Sequence, residues 1–349
     1  MEITLDDPHL QIRYFPLQRG FAKFPMSLIA REGERLAERL SRRTPSAAES
    51  PLICTSPHYA DVAERWPGPV IYYVTDLFKA YGDDPRLIAS LDRRMCRAAN
   101  LVCPNSKRIA EYLMMEGSCP SEKILIIPNA TRETNLLADS ANGLAEQPYD
   151  LIDIPRPWAG VIGNLASNMD WEFLEETIKR TPWLSWIFVG PTEMPVPDQG
   201  QNQARQSLMA HGGRVRFVGA KPYGALKDYA RAFEVAILPY RRQEPTFSGS
   251  STRFYEHLAA CRPIIATRGF EKLLHKQPLL TLVDTAAELT VELEKLRVAG
   301  FRDGKEHLRW RASQAETWER RAAMMVEALG RVKENRQMHF ASDALSAGV

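Results

Sequence analysis

The sequence has few cysteines, little net charge and no long apolar run. Its five cysteines are scattered and form no CxxC pair or Cys/His cluster, which argues against a disulfide framework or structural zinc site and favours a reducing cytoplasm. A formal net charge of +2 argues against a protein that binds nucleic acid through bulk charge. No apolar run reaches the ~18 residues of a membrane-spanning helix, and the N-terminus, MEITLDDPHLQIRYF, lacks a signal-peptide pattern.

Two glycine-rich phosphate-binding motifs are also missing. The chain contains neither the P-loop, G-x-x-x-x-G-K-[ST], nor the dinucleotide-binding fingerprint, G-x-G-x-x-G. A phosphate site in this chain must therefore be built from another kind of loop.

Short apolar segments alternate with helical patterns along the whole chain. The predicted strands lie at 50–57, 68–76, 99–106, 122–130, 158–165, 185–191, 213–220, 234–241 and 262–267. They are apolar on both faces, as strands of a parallel sheet covered by helices are. Strict alternation of strand and helix predicts an α/β protein with doubly wound sheets. From 286 the pattern is helical to 333.

A polar, turn-rich stretch at 131–155 separates the two halves of this pattern. The sequence therefore predicts two Rossmann-like domains. The predicted units are an N-terminal domain at 1–145, a C-terminal domain at 146–305, a C-terminal helix at 306–335 and a tail at 336–349.

The stretch FSGSSTRFYEHLAACRPIIAT, residues 247–267, carries the clearest sign of a binding site. Glycine and hydroxyl residues lie after a predicted strand and directly before a helical pattern: Ser248, Gly249, Ser250, Ser251 and Thr252. A helix N-terminus at the carboxyl end of a parallel strand is receptive to phosphate, because its N–H groups are free and its dipole is positive there. Nearby positive charge comes from Arg241, Arg242 and Arg253.

Arg253 and Glu256 lie three residues apart and so on one face of the predicted helix. A carboxylate one turn behind a phosphate site can accept hydrogen bonds from both hydroxyls of a ribose. The loop, the arginines and this carboxylate together predict a nucleoside diphosphate site. A plainer interpretation stays open, in which the hydroxyl residues are N-caps and Arg253 and Glu256 form a solvated ion pair.

Several segments share one order along the chain. VIYYVTDLFKAY, ANLVCPNSKRIAEYL, IIPNAT and GVIGNLASNMDWEFL precede GSSTRFYEHLAACRPIIAT, and SQAETWERRAAMMVEAL follows it. In order and spacing, over about 50–330, they resemble glycosyltransferases of group 1 with the GT-B fold. The resemblance implies two Rossmann-like domains facing a cleft, with the acceptor side in the N-terminal domain.

Three departures from the family pattern stand out. Ser248 lies where many retaining members carry the first of two glutamates. The polysaccharide-assembly branch often lacks that first glutamate. Ala130 replaces the usual glycine. The first convincing central strand begins only near 52, so we expect either a chain shortened at its N-terminus or a reduced acceptor domain.

The resemblance also implies roles for individual residues on the donor side. Arg241, Arg242, Arg253 and the 248–252 loop would neutralise the leaving diphosphate without a bound metal, and Glu256 would bind the ribose. The remaining donor-binding candidates are Gly163 and Asn164 over the phosphates, and Thr192, Glu193, Lys221 and Tyr223 near the base. The implied co-substrate is a nucleoside diphosphate sugar of the UDP or GDP type, and no other cofactor is implied.

Two residues at predicted strand ends are candidates for the acceptor side. Asp76 ends VIYYVTD, where a carboxylate could serve as general base for an acceptor hydroxyl, or could cap the next segment. His58 is a second candidate, and a lone histidine is more often structural.

The acceptor implied by the resemblance is a glycan or lipid-linked sugar in cell-surface polysaccharide biosynthesis. The first 43 residues interleave basic side chains with apolar ones, which predicts either peripheral contact of a cytoplasmic protein with the inner membrane face or a solvated helix face. Two other functions stay open: a non-catalytic nucleotide-sugar-binding scaffold and, with less support, a sugar-nucleotide epimerase.

Overall fold

The N-terminal part of the chain forms a small parallel sheet covered by helices. The computed structural model describes residues 26–81, 84–136 and 147–331. The three strands are β1 (Leu52–Cys54), β2 (Val70–Val74) and β3 (Leu101–Pro104), in the order β1-β2-β3. The helices are α1 (Met26–Arg43), α2 (Ala60–Arg65), α3 (Pro85–Ala98) and α4 (Lys107–Met115).

Sequence signals explain where α3 and α4 begin. The Asp84 carboxylate accepts a hydrogen bond from the Arg86 N–H, and Pro85 occupies the first helical position. Ser106 caps α4 in the same way, by accepting from the Ile109 N–H. These caps end the preceding loops at the carboxyl ends of β2 and β3, which face the second domain.

The predicted strand at 122–130 is irregular in the structure. It runs beside β3 and its Leu125 and Ile127 N–H groups donate to Val102 and Pro104, but only one isolated bridge, Val102 to Ile124, forms. Pro104 has no N–H to return the next hydrogen bond of the ladder, so the pairing stops there.

The C-terminal part forms the larger, six-stranded parallel sheet. Its strands are β4 (Trp158–Ile162), β5 (Ser185–Val189), β6 (Val215–Phe217), β7 (Val235–Leu238), β8 (Ile264–Ala266) and β9 (Thr281–Leu282), in the order β6-β5-β4-β7-β8-β9. From β4 the chain adds β5 and β6 on one side, and it then adds β7, β8 and β9 on the other side of β4. Open α/β sheets bind ligands at such a switch point in the strand order. The helices of this part are α5 (Trp171–Arg180), α6 (Gln199–His211), α7 (Leu226–Ala232), α8 (Thr252–Ala260), α9 (Ala286–Val298) and α10 (Glu306–Ala315).

The predicted helical stretch from 286 to 333 is broken twice. Gly300 and Gly304, both with positive φ, separate α9 from α10, and residues 316–317 separate α10 from a last helix, α11, at 318–331. The break at 316–317 returns the chain to the N-terminal domain. There the Thr131 N–H donates to the Glu316 carbonyl, and the Trp318 N–H donates to the Thr131 carbonyl.

Helix α11 completes the core of the N-terminal domain. Ala328 and Leu329 are buried in one cluster with Ile71 of β2 and Leu101 of β3. The predicted tail at 336–349 and the predicted domain boundary at 145 lie outside the described residues.

Helix α1 pairs most of its charges locally. Arg35 lies 2.5 Å from Glu32, and Arg65 of α2 lies 2.5 Å from Glu34. The other basic and apolar residues of the predicted membrane-facing segment, at 1–25, lie outside the described residues. Within 26–81, 84–136 and 147–331, no helix combines the length and the apolar character that crossing a bilayer requires.

Candidate active site

The carboxyl ends of β2, β4 and β7 meet around a cavity of about 440 Å³ between the two domains. The N-terminal domain contributes Thr75, Asp76, Tyr81 and Asn129 to its lining. The C-terminal domain contributes Gly163, Asn164, Asn168, Tyr240, Pro245, Thr246, Phe270 and the run 249–253. The predicted site residues that the structure brings together here are therefore Asp76, Gly163, Asn164, Gly249, Ser250, Ser251, Thr252 and Arg253.

A close crossing of two backbones shapes the floor of the cavity. Gly163 follows β4 with φ +155°, and Gly190 follows β5 with φ +149°. A Cβ atom on Gly190 would lie 1.7 Å from the Gly163 carbonyl oxygen, so this position has no room for a side chain. Because Gly190 has no side chain, the two backbones can approach this closely, which fixes the position of Gly163 in the cavity lining.

The loop before α8 is held by the N-terminal domain. The Asn129 side-chain amide donates to the Ser250 carbonyl oxygen at 2.6 Å and to the Thr252 hydroxyl at 3.0 Å. The Asn129 N–H donates to the Ser250 hydroxyl at 3.2 Å. The Ser251 hydroxyl caps α8 by accepting from the Phe254 N–H. These hydroxyls order the loop, and residues 249–252 line the cavity.

Ser248 lies at the domain contact and outside the cavity lining. Its hydroxyl donates to Glu244 at 2.8 Å and accepts from Arg108 at 3.2 Å, and its carbonyl accepts from the Ser106 hydroxyl at 2.5 Å. The side chain is 2% exposed. Ser248 therefore joins the two domains.

Arg253 and Glu256 form a partly buried ion pair at 2.6 Å. Burial opposes the charge of Arg253, but Glu256 outweighs it and raises the arginine pKa above its usual range. Arg253 reaches the cavity, while Glu256 lies behind it, 4% exposed, with its Oε1 lacking a hydrogen-bond partner among the described residues. Tyr223 lies beside this carboxylate, and burial together with Glu256 raises the pKa of its phenol to about 12.

The other predicted donor residues lie outside the cavity lining. Lys221 pairs with Asp150 at 2.6 Å, Arg241 pairs with Asp198 at 3.2 Å, and the Arg242 guanidinium lies 4.7 Å from the centre of the Phe247 ring. Thr192 and Glu193 lie in the loop after β5, where the Thr192 carbonyl accepts from Arg205.

The two acceptor-side candidates have different positions. Asp76 lines the cavity and accepts a hydrogen bond from the Tyr81 hydroxyl at 3.0 Å. Burial raises the pKa of Asp76, and hydrogen bonds from Tyr81 and Thr75 oppose this rise. The ring of His58 contacts the Ser56 hydroxyl at 3.1 Å and lies outside the cavity lining.

Three cavity residues of consequence have no role in the sequence-based prediction: Tyr81, Asn129 and Tyr240. Asn129 and Tyr240 follow apolar segments, so the strand-end rule that selected Asp76 could have found them. Tyr81 comes seven residues after the end of β2 and reaches the cavity through a short 3-10 turn, Phe78–Ala80, which no sequence pattern indicates.

The described residues contain no group of three or more His, Cys, Asp or Glu side chains that could hold a metal ion. Positive charge at the cavity comes instead from Arg253 and from the N-terminus of α8.

Comparison with known proteins identifies the fold. No protein-family model matches the sequence, and no curated protein matches it significantly. A glycosyltransferase from Rickettsia africae matches with a TM-score of 0.66 and 13% identity, over 93% of this chain and 85% of that one. Anabaena HepE in complex with UDP and glucose matches with a TM-score of 0.64 and 13% identity, over 90% and 84%. A sucrose-phosphate synthase from Thermosynechococcus elongatus matches with a TM-score of 0.64 and 17% identity, over 96% and 87%.

These likenesses cover nearly the whole of each chain and confirm the predicted GT-B fold, with two parallel-sheet domains facing a cleft.

Proposed function

We propose that this protein is a glycosyltransferase that moves a sugar from a nucleoside diphosphate sugar, of the UDP or GDP type, to a hydroxyl of an acceptor. One observation carries the proposal: a single cavity places Arg253 and the N-terminus of α8 on one wall and Asp76 on the other. Glycosyl transfer needs stabilisation of a leaving diphosphate and a base for the attacking hydroxyl. The complex of Anabaena HepE with UDP adds support from a protein of the same fold.

The leaving diphosphate would lie against the backbone N–H groups at the start of α8. Arg253 would bind its oxygens, and a guanidinium suits this because its hydrogen bonds to phosphate are charge-assisted and often bidentate. The loop at Gly163 and Asn164 would cover the phosphates from the other side. We propose that this charge makes a bound metal unnecessary.

Glu256 would reach the ribose only past Arg253, since the arginine stands between it and the cavity. In this proposal the carboxylate holds the arginine in place, and its Oε1, which has no hydrogen-bond partner within the described part of the chain, would accept from a ribose hydroxyl. Tyr223, beside the carboxylate, would border the same part of the donor.

Asp76 would act as general base for the acceptor hydroxyl. Burial raises its pKa, which brings the carboxylate closer to the pH at which a base works best. In this proposal His58 is structural, because it lies outside the cavity lining and contacts the Ser56 hydroxyl.

The acceptor we propose is a glycan or lipid-linked sugar of cell-surface polysaccharide, handled in the cytoplasm. Support comes from Ser248, which lies where the polysaccharide-assembly branch lacks a glutamate. Peripheral contact with the inner membrane face would come from the basic and aromatic residues of 1–25, such as Arg13, Arg19 and Phe21.

Calorimetric titration with UDP, GDP and their glucose conjugates tests the donor site, and release of nucleoside diphosphate tests turnover. We expect one diphosphate to bind, and Asp76→Asn to lose turnover while keeping that affinity. Asp228→Asn, an exposed aspartate on α7, is the matched control and should change neither.

Two outcomes separate the alternatives. If a folded chain binds none of these nucleotides, the transferase proposal is wrong. If it binds a nucleotide sugar but neither hydrolyses it nor transfers the sugar to any offered acceptor, the non-catalytic binding protein becomes the better description.

A further inference from the structure

Tyr81 is built into the acceptor wall of the cavity by a short turn. After β2 the chain forms the 3-10 turn Phe78–Ala80, and the Tyr81 N–H closes it by donating to the Phe78 carbonyl at 3.1 Å. The Phe78 and Tyr81 ring centres lie 6.4 Å apart. This turn brings the phenol back toward the end of the strand that carries Asp76, so that its hydroxyl donates to Asp76 Oδ1 at 3.0 Å.

The surroundings of Asp76 combine two opposing effects. Burial makes the carboxylate more basic, whereas hydrogen bonds from Tyr81 and Thr75 favour its charged form. Among the described residues, the other titratable side chains that line the cavity are Tyr240 and Arg253, and both belong to the opposite domain. Of the described cavity residues in the domain of Asp76, Tyr81 is the one whose side chain can titrate beside it.

We propose that Tyr81 is a positioning residue, whose hydroxyl holds the Asp76 carboxylate ionised and turned toward the acceptor hydroxyl. The inference rests on the proposed function and adds a residue to it. In the step that it serves, the acceptor O–H bond breaks and its proton goes to Asp76. The acceptor oxygen bonds to the anomeric carbon of the donor sugar, and the bond from that carbon to the diphosphate breaks, with the electron pair leaving on the diphosphate.

A neutral donor suits this task better than a cation would. An arginine or lysine at 3 Å would lower the carboxylate pKa by roughly 1–3 units and so weaken the base. A phenol hydroxyl fixes one carboxylate oxygen by a single hydrogen bond and leaves most of the basicity that burial confers. Tyr81 is also 56% exposed, so its ring is accessible from solvent.

Tyr81→Phe in the full chain tests the inference, because it removes the hydroxyl and keeps the ring. The first readout is the titration of the Asp76 carboxyl carbon by NMR, assigned with Asp76→Asn. We expect the midpoint of Asp76 to rise by about one unit, because a hydrogen bond to a charged group is lost. Tyr149→Phe, which changes an 89% exposed tyrosine, should leave the midpoint where it is.

The second readout is the pH profile of UDP release from UDP-glucose, or of GDP release if the chain selects GDP. In Tyr81→Phe we expect the acidic limb to move to higher pH by the same amount, with an unchanged KM for the donor. A purely structural role would lower the rate at every pH and leave the limb in place, which overturns the inference. An unmoved NMR midpoint also overturns it.

These outcomes keep the two proposals apart. The NMR titration needs no turnover, so a wild-type chain without turnover refutes the proposed function by a separate observation, and the inference falls with it. Turnover that depends on Asp76 but shows no change of midpoint or limb in Tyr81→Phe refutes the inference alone.

Discussion

Arg253→Ala should destabilise the fold, because it leaves Glu256 as a buried and unpaired charge. Glu256 is 4% exposed, one of its oxygens already lacks a partner among the described residues, and the other lies 2.6 Å from Arg253. Breaking a buried ion pair by removing one partner costs about 3–5 kcal/mol. We expect a loss of that size in the free energy of unfolding.

The partner substitution should cost less. Glu256→Gln removes the buried charge and keeps the shape of the side chain, and the Arg253 side chain, 24% exposed, can still reach water in the cavity. We expect a loss of about 1–2 kcal/mol. The double variant Arg253→Ala/Glu256→Gln should then be more stable than Arg253→Ala, because it buries no unpaired charge.

Urea unfolding of the four proteins, followed by tryptophan fluorescence, forms a double-mutant cycle. Arg35→Ala is the matched control: Arg35 pairs with Glu32 at the same i,i+3 spacing, but the two side chains are 56% and 38% exposed. That variant should cost under about 1 kcal/mol. Strictly additive losses in the cycle, or an Arg253→Ala loss as small as that of Arg35→Ala, would refute the reasoning.

The same geometry decides how the donor site should be probed. A loss of UDP affinity in Arg253→Ala mixes loss of a phosphate contact with loss of fold. Arg253→Lys keeps the positive charge beside Glu256 and gives up the bidentate fork. We expect its free energy of unfolding to stay close to that of the wild type and its affinity for UDP, measured by calorimetry, to fall about tenfold.

Three further predictions each concern one residue. Gly190→Ala should displace the Gly163 carbonyl, because the new Cβ would lie 1.7 Å from its oxygen. We expect UDP binding, measured by calorimetry, to weaken at least tenfold, and an unchanged affinity would contradict the role of this backbone crossing. Burial and the charge of Lys276 lower the pKa of Lys272 to about 7. Above that pH the unfolded chain binds more protons than the folded one, so the free energy of unfolding should rise from pH 7 to 10. Lys272→Met should flatten this rise, measured as the urea midpoint at each pH, and a variant whose midpoints run parallel to those of the wild type would contradict the prediction. Asn129→Ala removes two hydrogen bonds to the loop before α8, so amide exchange there should quicken and UDP affinity should fall several-fold; unchanged exchange would show that the loop orders itself.

Much of the fold could be predicted because its strands are buried on both faces. All five residues of β4 and all five of β5 are buried, and such short apolar runs stand out in a sequence. Helix α6 was missed, since QGQNQARQSLMAH offers few apolar residues and its burial rests partly on polar Gln201 and Arg205. Strand β9 was missed because it has only two residues, both half-buried.

The candidate site was predictable only where backbone geometry alone places a residue. Asp76, Gly163 and Arg253 follow or face the carboxyl ends of parallel strands, and those ends meet at the cleft. Lys221 and Arg241 also follow strands, but each is held by an aspartate far away in sequence, at positions 150 and 198. Such pairings depend on tertiary contacts, so no local pattern could indicate them.

The position of α11 has a consequence for the order in which the protein is made. The strands β2 and β3 leave the ribosome early, whereas Ala328 and Leu329, which cover them, are synthesised near the end. At roughly 5–20 residues per second, the intervening C-terminal domain takes on the order of ten seconds or more to emerge. During that time the sheet face that includes Ile71 and Leu101 stays open, so the nascent N-terminal domain is a natural client for a chaperone that binds apolar surface.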